Sequence, residues 1–169
     1  ISGNCYKLKL AARQLDIPFD WQELDILAGD TRTREFLALN PNGKVPIAVL
    51  PDGRVITASN AILSYLAEGT ELGGQDRFER AMIMSWLCFE QYSHEPFIAT
   101  SRFIVRYLGS PAERRAELEA KRAGGEKALE VMNRHLADHD FFANDRYSIA
   151  DIALYAYTHV ADEGGFDVA

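Results

Sequence analysis

The sequence predicts an α/β domain followed by an all-α domain. Three observations carry this. Over residues 1–69, helix and strand signals alternate in the order helix, strand, helix, hairpin, helix. A short run of breakers, TELGGQ at 70–75, follows and reads as a linker. Over residues 76–169 the strand signals vanish and helical periodicity takes over, so this part reads as a second domain.

In the first domain, CYKLKLAARQLDI places Cys5, Leu8, Ala11, Ala12 and Leu15 at helical spacing and stops before Pro18, which cannot donate to a helix ladder. WQELDI, residues 21–26, alternates and predicts a strand. TREFLAL, residues 33–39, predicts a short helix ended by Asn40-Pro41. PIAVL (46–50), the turn PDG (51–53) and RVIT (54–57) predict an antiparallel hairpin. SNAILSYLAEG, residues 59–69, predicts a helix with Ser59 as N-cap, Ile62, Leu63 and Leu66 facing inward, and Gly69 as its stop. One more strand before Ile1 would complete a βαβ unit followed by a ββα unit, a four-stranded mixed sheet flanked by helices.

In the second domain, residues 76–108 place Phe78, Met82, Trp86, Phe89 and Ser93 on one helical face, with a kink expected at Pro96. Residues 111–138 form a second helical pattern with Leu118, Leu129, Met132 and Leu136 in register. Gly124-Gly125 weaken it by about 1 kcal/mol each relative to alanine. A third helix starts at Ser148. There Ser148-Ile149-Ala150-Asp151 has the form of a capping box, with Asp in place of the commoner Glu, and its meaning is structural.

Composition narrows the partners. The 169 residues are 47% hydrophobic and 25% charged with a net charge of −7, which argues against nucleic acid and against an anionic membrane surface. A small anionic ligand stays open, because local donors override a net charge. Two cysteines, Cys5 and Cys88, make no framework and suit a reducing, cytoplasmic setting. No apolar run approaches the ~18 residues that span a bilayer, and no leader is visible. The chain opens without Met at Ile1 and stops at GGFDVA directly after a helical pattern, so both ends read as incomplete. His94, His135, His139 and His159 show no ligand spacing with Cys or acid residues, so no metal is expected.

Three stretches carry potential chemistry. In SGNCYKLKL, Ser2 stands just ahead of a helix whose first N–H groups are unsatisfied and partly positive, an environment that favours a thiolate. Taken alone, Ser2 or Asn4 is equally a plain helix cap, and Cys5 a small hydrophobe one turn in. In GKVPIAVL, Pro46 opens an apolar run; it is either a turn that presents the backbone of Val45 or an ordinary edge-strand proline, and Lys44 is either an anion partner or solvated. In ITASNAILSYL, Ser59 and the first turn of its helix form a ready anion site or simply a cap.

These stretches, with the box at Ser148–Asp151 and the order of the elements, resemble the glutathione transferase family over nearly the whole chain, most of all bacterial members of its serine-type, theta- and zeta-like branch. The resemblance implies a thioredoxin-like N-terminal domain lacking its first strand and a helical-bundle C-terminal domain lacking its last helices. It implies that Ser2 is the catalytic residue, donating a hydrogen bond to the thiol of reduced glutathione. Asn4, Lys44, Val45, Pro46, Ala58 and Ser59 would complete the glutathione site, with a cis bond before Pro46, the Val45 backbone on the cysteinyl unit and Ser59 on the γ-glutamyl carboxylate. Ala58 departs from the family, which usually offers an acidic residue or Gln there. That leaves the γ-glutamyl ammonium one partner short, and Glu90 and Gln91 are candidates to supply it. Tyr92, His94, Phe97, Ser101 and Arg102 are candidates for a second-substrate pocket.

The activity implied is glutathione S-transfer to a small hydrophobic electrophile, a detoxification chemistry, with glutathione as substrate, no metal and a homodimeric assembly. Two alternatives stay open: a glutathione-dependent disulfide reductase or peroxidase using the same site, and a non-catalytic binding module on the same fold.

Overall fold

The computed structural model describes residues 2–168. The chain divides into two compact units, Ile1–Glu68 and Gly69–Ala169, so the breaker stretch at 70–75 falls in the second.

The first unit begins with helix α1, Gly3–Gln14, which buries Leu8, Ala11 and Ala12, the helical stripe read from the sequence. Helix α2, Arg34–Leu39, starts where the Thr33 hydroxyl accepts from the Phe36 N–H at 3.2 Å. The hairpin forms as strands β1, Ile47–Val49, and β2, Val55–Thr57, in antiparallel register with Ala48 opposite Ile56. At its turn Gly53 takes a φ of +84°, and the Asp52 carboxylate receives the Arg54 N–H at 3.0 Å. Helix α3, Ser59–Ala67, buries Ile62, Leu63 and Ala67. It stops before Gly69, whose φ of +74° suits only a residue without a Cβ penalty.

Two expectations fail here. Residues 21–26 form no strand, and the ladder between β1 and β2 is the only one among the described residues. A strand exists through its ladder, and this segment has no partner, leaving residues 22–26 exposed whichever way they alternate. Ser59 is not the N-cap of α3. That position belongs to Ala58, and Ser59 is the first helical residue.

The second unit opens with helix α4, Arg77–Phe89, capped by the Asp76 carboxylate on the Glu79 N–H at 2.9 Å. Glu79 in turn receives the Gln75 N–H at 2.7 Å and pairs with Arg146, which together hold its carboxyl below the usual range. Then comes a π-helical turn, Glu90–His94, followed by helix α5, Glu95–Arg102, and a second π-helical turn, Phe103–Tyr107. The first widened turn lies directly before Pro96, which has no N–H to return to the preceding turn. The buried face is therefore Ile83, Leu87, Glu90, His94, Ile98 and Ser101, not the stripe expected from the sequence; Phe78 is 70% exposed.

Helix α6, Arg115–Leu136, contains both glycines at 124 and 125. They have a packing role: a Cβ at Gly124 would lie 2.3 Å from the Phe97 ring, and one at Gly125 would lie 2.3 Å from the Phe166 ring. The helical cost of the pair is thus the condition for two aromatic rings to lie flat on α6. Helix α7, Ile149–Thr158, is the most buried element, with Ile149, Ala150, Ile152, Ala153, Leu154, Ala156 and Tyr157 all inside. Its capping box is complete: the Ser148 hydroxyl accepts from the helix and Asp151 Oδ2 receives the Ser148 N–H at 2.8 Å. Among the described residues no helix is long and apolar enough to cross a membrane.

Candidate active site

The first turns of α1 and α3 meet and are stitched by two side-chain bonds. The Ser59 hydroxyl donates to Asn4 Oδ1 at 2.9 Å, and Lys7 Nζ donates to Asn60 Oδ1 at 2.6 Å. Two helix N-termini, each with inward-pointing N–H groups and a partial positive charge, therefore lie side by side. No carboxylate stands in the first turn of either helix. Such a pair is suited to a molecule carrying both a thiolate and a carboxylate.

Ser2 is the N-cap of α1, with extended backbone at φ −67° and ψ 137°. Its carbonyl anchors the first turn, receiving the Cys5 N–H at 3.1 Å and the Tyr6 N–H at 2.8 Å. Burial pushes the Cys5 thiol above its ordinary pKa, and a side-chain hydrogen bond from Ser2 and the charge of Lys7 pull the other way without overcoming it. Cys5 thus stays a protonated thiol at neutral pH, a poor nucleophile, while the Ser2 hydroxyl is already directed at a sulfur. For the conjugation activity that the resemblance implies, Cys5→Ala is accordingly expected to stay within about threefold of the unaltered protein, since it removes no thiolate. A loss of two or more orders of magnitude would make Cys5 the functional thiol.

The loop ahead of β1 is held by Asn40, a residue the sequence reading did not single out. Asn40 is 5% exposed; its Nδ2 donates to the Lys44 carbonyl at 2.7 Å and its Oδ1 receives the Asn42 N–H at 3.2 Å. An Asn ahead of a Pro at the end of a helix is a signal for this kind of local bonding. The same loop needs Gly43, with a φ of +63° and a Cβ position 2.3 Å from Arg32. The Val45-Pro46 bond is cis. Neither the N–H nor the C=O of Val45 takes a partner in the hydrogen-bond network of the described residues, so both are open to an extended backbone. Lys44 is exposed beside it.

Ala58 sits between β2 and α3 at φ +68° and ψ 125°, a backbone state that alanine rarely adopts. Its carbonyl still accepts the first helical bond, from the Ile62 N–H at 3.1 Å. The position turns the chain abruptly and leaves the end of α3 without a side-chain cap. Ala58→Gly is expected to relieve part of the ~1–3 kcal/mol such a state costs, offset by glycine's own entropy, for a net gain of about 1 kcal/mol. In a thermal melt this reads as a rise of roughly 2–4 °C; a fall would place the strain elsewhere.

The five residues expected to line a second-substrate pocket are not brought together. His94 is 0% exposed and its Nε2 lies 2.9 Å from the Thr158 hydroxyl; that hydroxyl donates to the Leu154 carbonyl at 2.8 Å, so His94 is the donor in the pair. Ser101 is buried under Gly164, and Arg102 donates to Glu163 Oε2 at 2.7 Å. Tyr92 and Phe97, in contrast, face a groove between α5 and α6. Among the described residues no group of His, Cys, Asp and Glu is arranged to hold a metal.

Residues 1–68 match the family model described as glutathione S-transferase, N-terminal domain, and residues 115–165 match glutathione S-transferase, C-terminal domain. The chain is 30% identical over 166 residues to glutathione S-transferase 2 of Anopheles gambiae, a match covering 98% of this chain and 78% of that protein.

The chain belongs to the glutathione S-transferase family.

Solved structures of transferases agree. A crystal structure of a glutathione S-transferase from Pseudomonas fluorescens superposes with a TM-score of 0.96 at 53% identity, covering 99% of this chain and 83% of that one. A glutathione transferase from Pseudomonas putida, solved with one glutathione disulfide bound per subunit, has a TM-score of 0.83 at 26% identity, with 99% of this chain and 78% of that one covered. Ser2, Val45 and Ser59 all lie within the residues matched by the N-terminal model.

Proposed function

We propose that the protein is a glutathione transferase in which Ser2 stabilises the thiolate of bound glutathione for attack on a small hydrophobic electrophile. The activity is supported by family membership and by the relatives. The assignment of residues rests on one observation: the N-termini of α1 and α3, joined through Asn4 and Ser59, lie together without a carboxylate in either first turn. In this reading the cysteinyl backbone of glutathione pairs with Val45, the γ-glutamyl carboxylate takes the open first turn of α3, and the Ser2 hydroxyl donates to the sulfur. The thiol proton leaves to solvent, and the sulfur lone pair forms the new bond to carbon while a leaving group departs from that carbon with its bonding pair or, at an activated double bond, the π pair shifts to the neighbouring atom and takes a proton from solvent. Lys44 is the exposed cation beside Val45 that would meet a second carboxylate in this reading. Ala58 leaves the γ-glutamyl ammonium to backbone carbonyls or to a second subunit, so the proposal includes a homodimer, and a cytoplasmic setting where reduced glutathione is available.

A second reading has one observation in its favour: the Pseudomonas putida relative holds glutathione disulfide. The same site would then serve a glutathione-dependent disulfide reduction.

Calorimetric titration with reduced glutathione, repeated in buffers of different ionisation enthalpy, tests the proposal. Binding with proton release near neutral pH is the expected outcome. Binding without release moves weight to the disulfide reading, and no binding up to millimolar ligand removes both.

A further inference from the structure

Lys7 is 0% exposed, and among the described residues no other charged side chain of the first unit is buried. Lysine is almost never buried completely, because taking an ammonium out of water costs more than its apolar stem gains. Methionine would fill the same length without that cost, so packing alone does not account for a lysine at this position.

The ammonium reaches from α1 to α3. Its Nζ donates to Asn60 Oδ1 at 2.6 Å, a short, charge-assisted bond. Asn60 is the second residue of α3, and the backbone ladder of that helix begins only with the Ile62 N–H on the Ala58 carbonyl. The contact therefore falls in the turn that the proposed function gives to the γ-glutamyl carboxylate.

Two details suit an anion there. The acceptor that Lys7 finds on α3 is an amide. A carboxylate at the same place would bond a lysine more strongly, but it would set a negative charge in the first turn and repel an anionic ligand. The charge of Lys7 is also felt at the start of α1, where it acts to lower the Cys5 thiol. One buried cation thus serves both helix starts.

We propose that Lys7 is a positioning residue of the glutathione site: acting through Asn60, it orients the first turn of α3 and makes that turn selective for a ligand that carries a carboxylate. Lys7 does not itself touch the ligand. The inference rests on the glutathione reading of the site and adds to it a determinant of which end of the peptide is recognised.

The test compares two peptides by calorimetric titration of the full chain: glutathione, and 4-aminobutanoyl-cysteinylglycine, which is glutathione without its γ-glutamyl carboxylate. Lys7→Met keeps the length of the side chain and removes its charge. It should weaken glutathione about tenfold, the order of one charge-assisted contact, and leave the decarboxylated peptide within about twofold. A merely structural role would weaken the two peptides alike. Asn60→Asp keeps an acceptor for Lys7 and puts a carboxylate in the first turn, so it tests the same claim without emptying a buried position. It should weaken glutathione by about tenfold or more and the decarboxylated peptide by no more than about twofold, with a melting temperature no lower than that of the unaltered protein. Equal losses for the two peptides in Lys7→Met, or glutathione affinity unchanged in either variant, overturns the role of Lys7 while leaving the glutathione site in place. Failure of glutathione to bind the unaltered protein overturns the reading of the site and this inference with it.

Discussion

Ser2→Ala is expected to raise the apparent pKa of bound glutathione by about 1–2 units, the equivalent of losing one charge-assisted hydrogen bond worth ~1.5–3 kcal/mol. The sign follows from which form the bond favours. In the proposed site the Ser2 hydroxyl donates, which would stabilise the thiolate over the thiol and lower the pKa; removing it would return the thiol toward its ordinary value of about 8.5. In the unaltered protein with glutathione saturating, kcat/KM for the electrophile should therefore reach its plateau near neutral pH. In the variant the rise should move to higher pH, with a deficit of roughly tenfold to a hundredfold at pH 7 that shrinks as pH increases. Glutathione affinity at low pH, where the thiol form binds, should change little, because Val45 and the first turn of α3 still hold the peptide; at high pH the thiolate should bind roughly tenfold to a hundredfold more weakly. That separation distinguishes an activating hydroxyl from a cap, whose loss would lower stability at every pH and leave the pH profile in place. The stability readout is available on the same samples, and no side-chain cap bond from Ser2 to the α1 backbone is present to be lost.

Asp151→Ala is expected to destabilise the helical unit by about 2–4 kcal/mol, one of the larger effects of any single surface-accessible change. One carboxylate receives three hydrogens: the Ser148 N–H at 2.8 Å, the Ser148 hydroxyl at 3.1 Å and, through its other oxygen, the Phe142 N–H at 2.9 Å. It thereby closes the cap of α7 and ties the preceding loop to it. Alanine leaves the buried Ser148 and the backbone of Phe142 without their acceptor. Trp86 lies with its ring 4.9 Å from that of Phe142, so urea unfolding followed by tryptophan fluorescence reports on this region directly. Asp151→Asn, which retains an oxygen acceptor, should recover part of the loss. Below the unfolding transition, kcat should be unchanged, since Asp151 is assigned no part in the chemistry. A change of less than about 0.5 kcal/mol would show that water replaces all three bonds.

What the sequence discloses depends on how local each determinant is. The box at Ser148 and Asp151 is legible because both bonds close within four residues, and the hairpin is legible because Asp52 and Gly53 state its turn. Helix α1 shows its buried stripe at Leu8, Ala11 and Ala12 for the same reason. The segment 21–26 misleads because alternation describes only one half of a strand pair. The buried face of α4 and α5 misleads for a different reason. Its inward positions include Glu90 and His94, which polarity scales assign to solvent, and a widened turn before Pro96 changes the angular register midway. Gly124 and Gly125 read as weak points from local propensity alone, because the rings of Phe97 and Phe166 that require them come from distant parts of the chain.

At the proposed glutathione site, Ser2, Val45, Pro46 and Ser59 stand out as residue types at turns and helix starts. The contact of Ser59 with Asn4, and of Asn60 with Lys7, is tertiary and has no local signature. Asn40 sits between these cases. Its two bonds are local, and the Asn-Pro pair was visible, but its part in holding the carbonyl of Lys44 next to Val45 appears only once the loop is folded.

In the proposed function this site makes a thiolate, and Ser2 is what makes it. The direct measurement is a pH titration of the ultraviolet thiolate absorbance of bound glutathione, in the unaltered protein and in Ser2→Ala, with Cys5→Ala in both backgrounds so that the protein contributes no signal from that thiol. The expected titration midpoint lies well below that of free glutathione in the unaltered protein and about 1–2 units higher in Ser2→Ala. Coincident midpoints in the two proteins would contradict it.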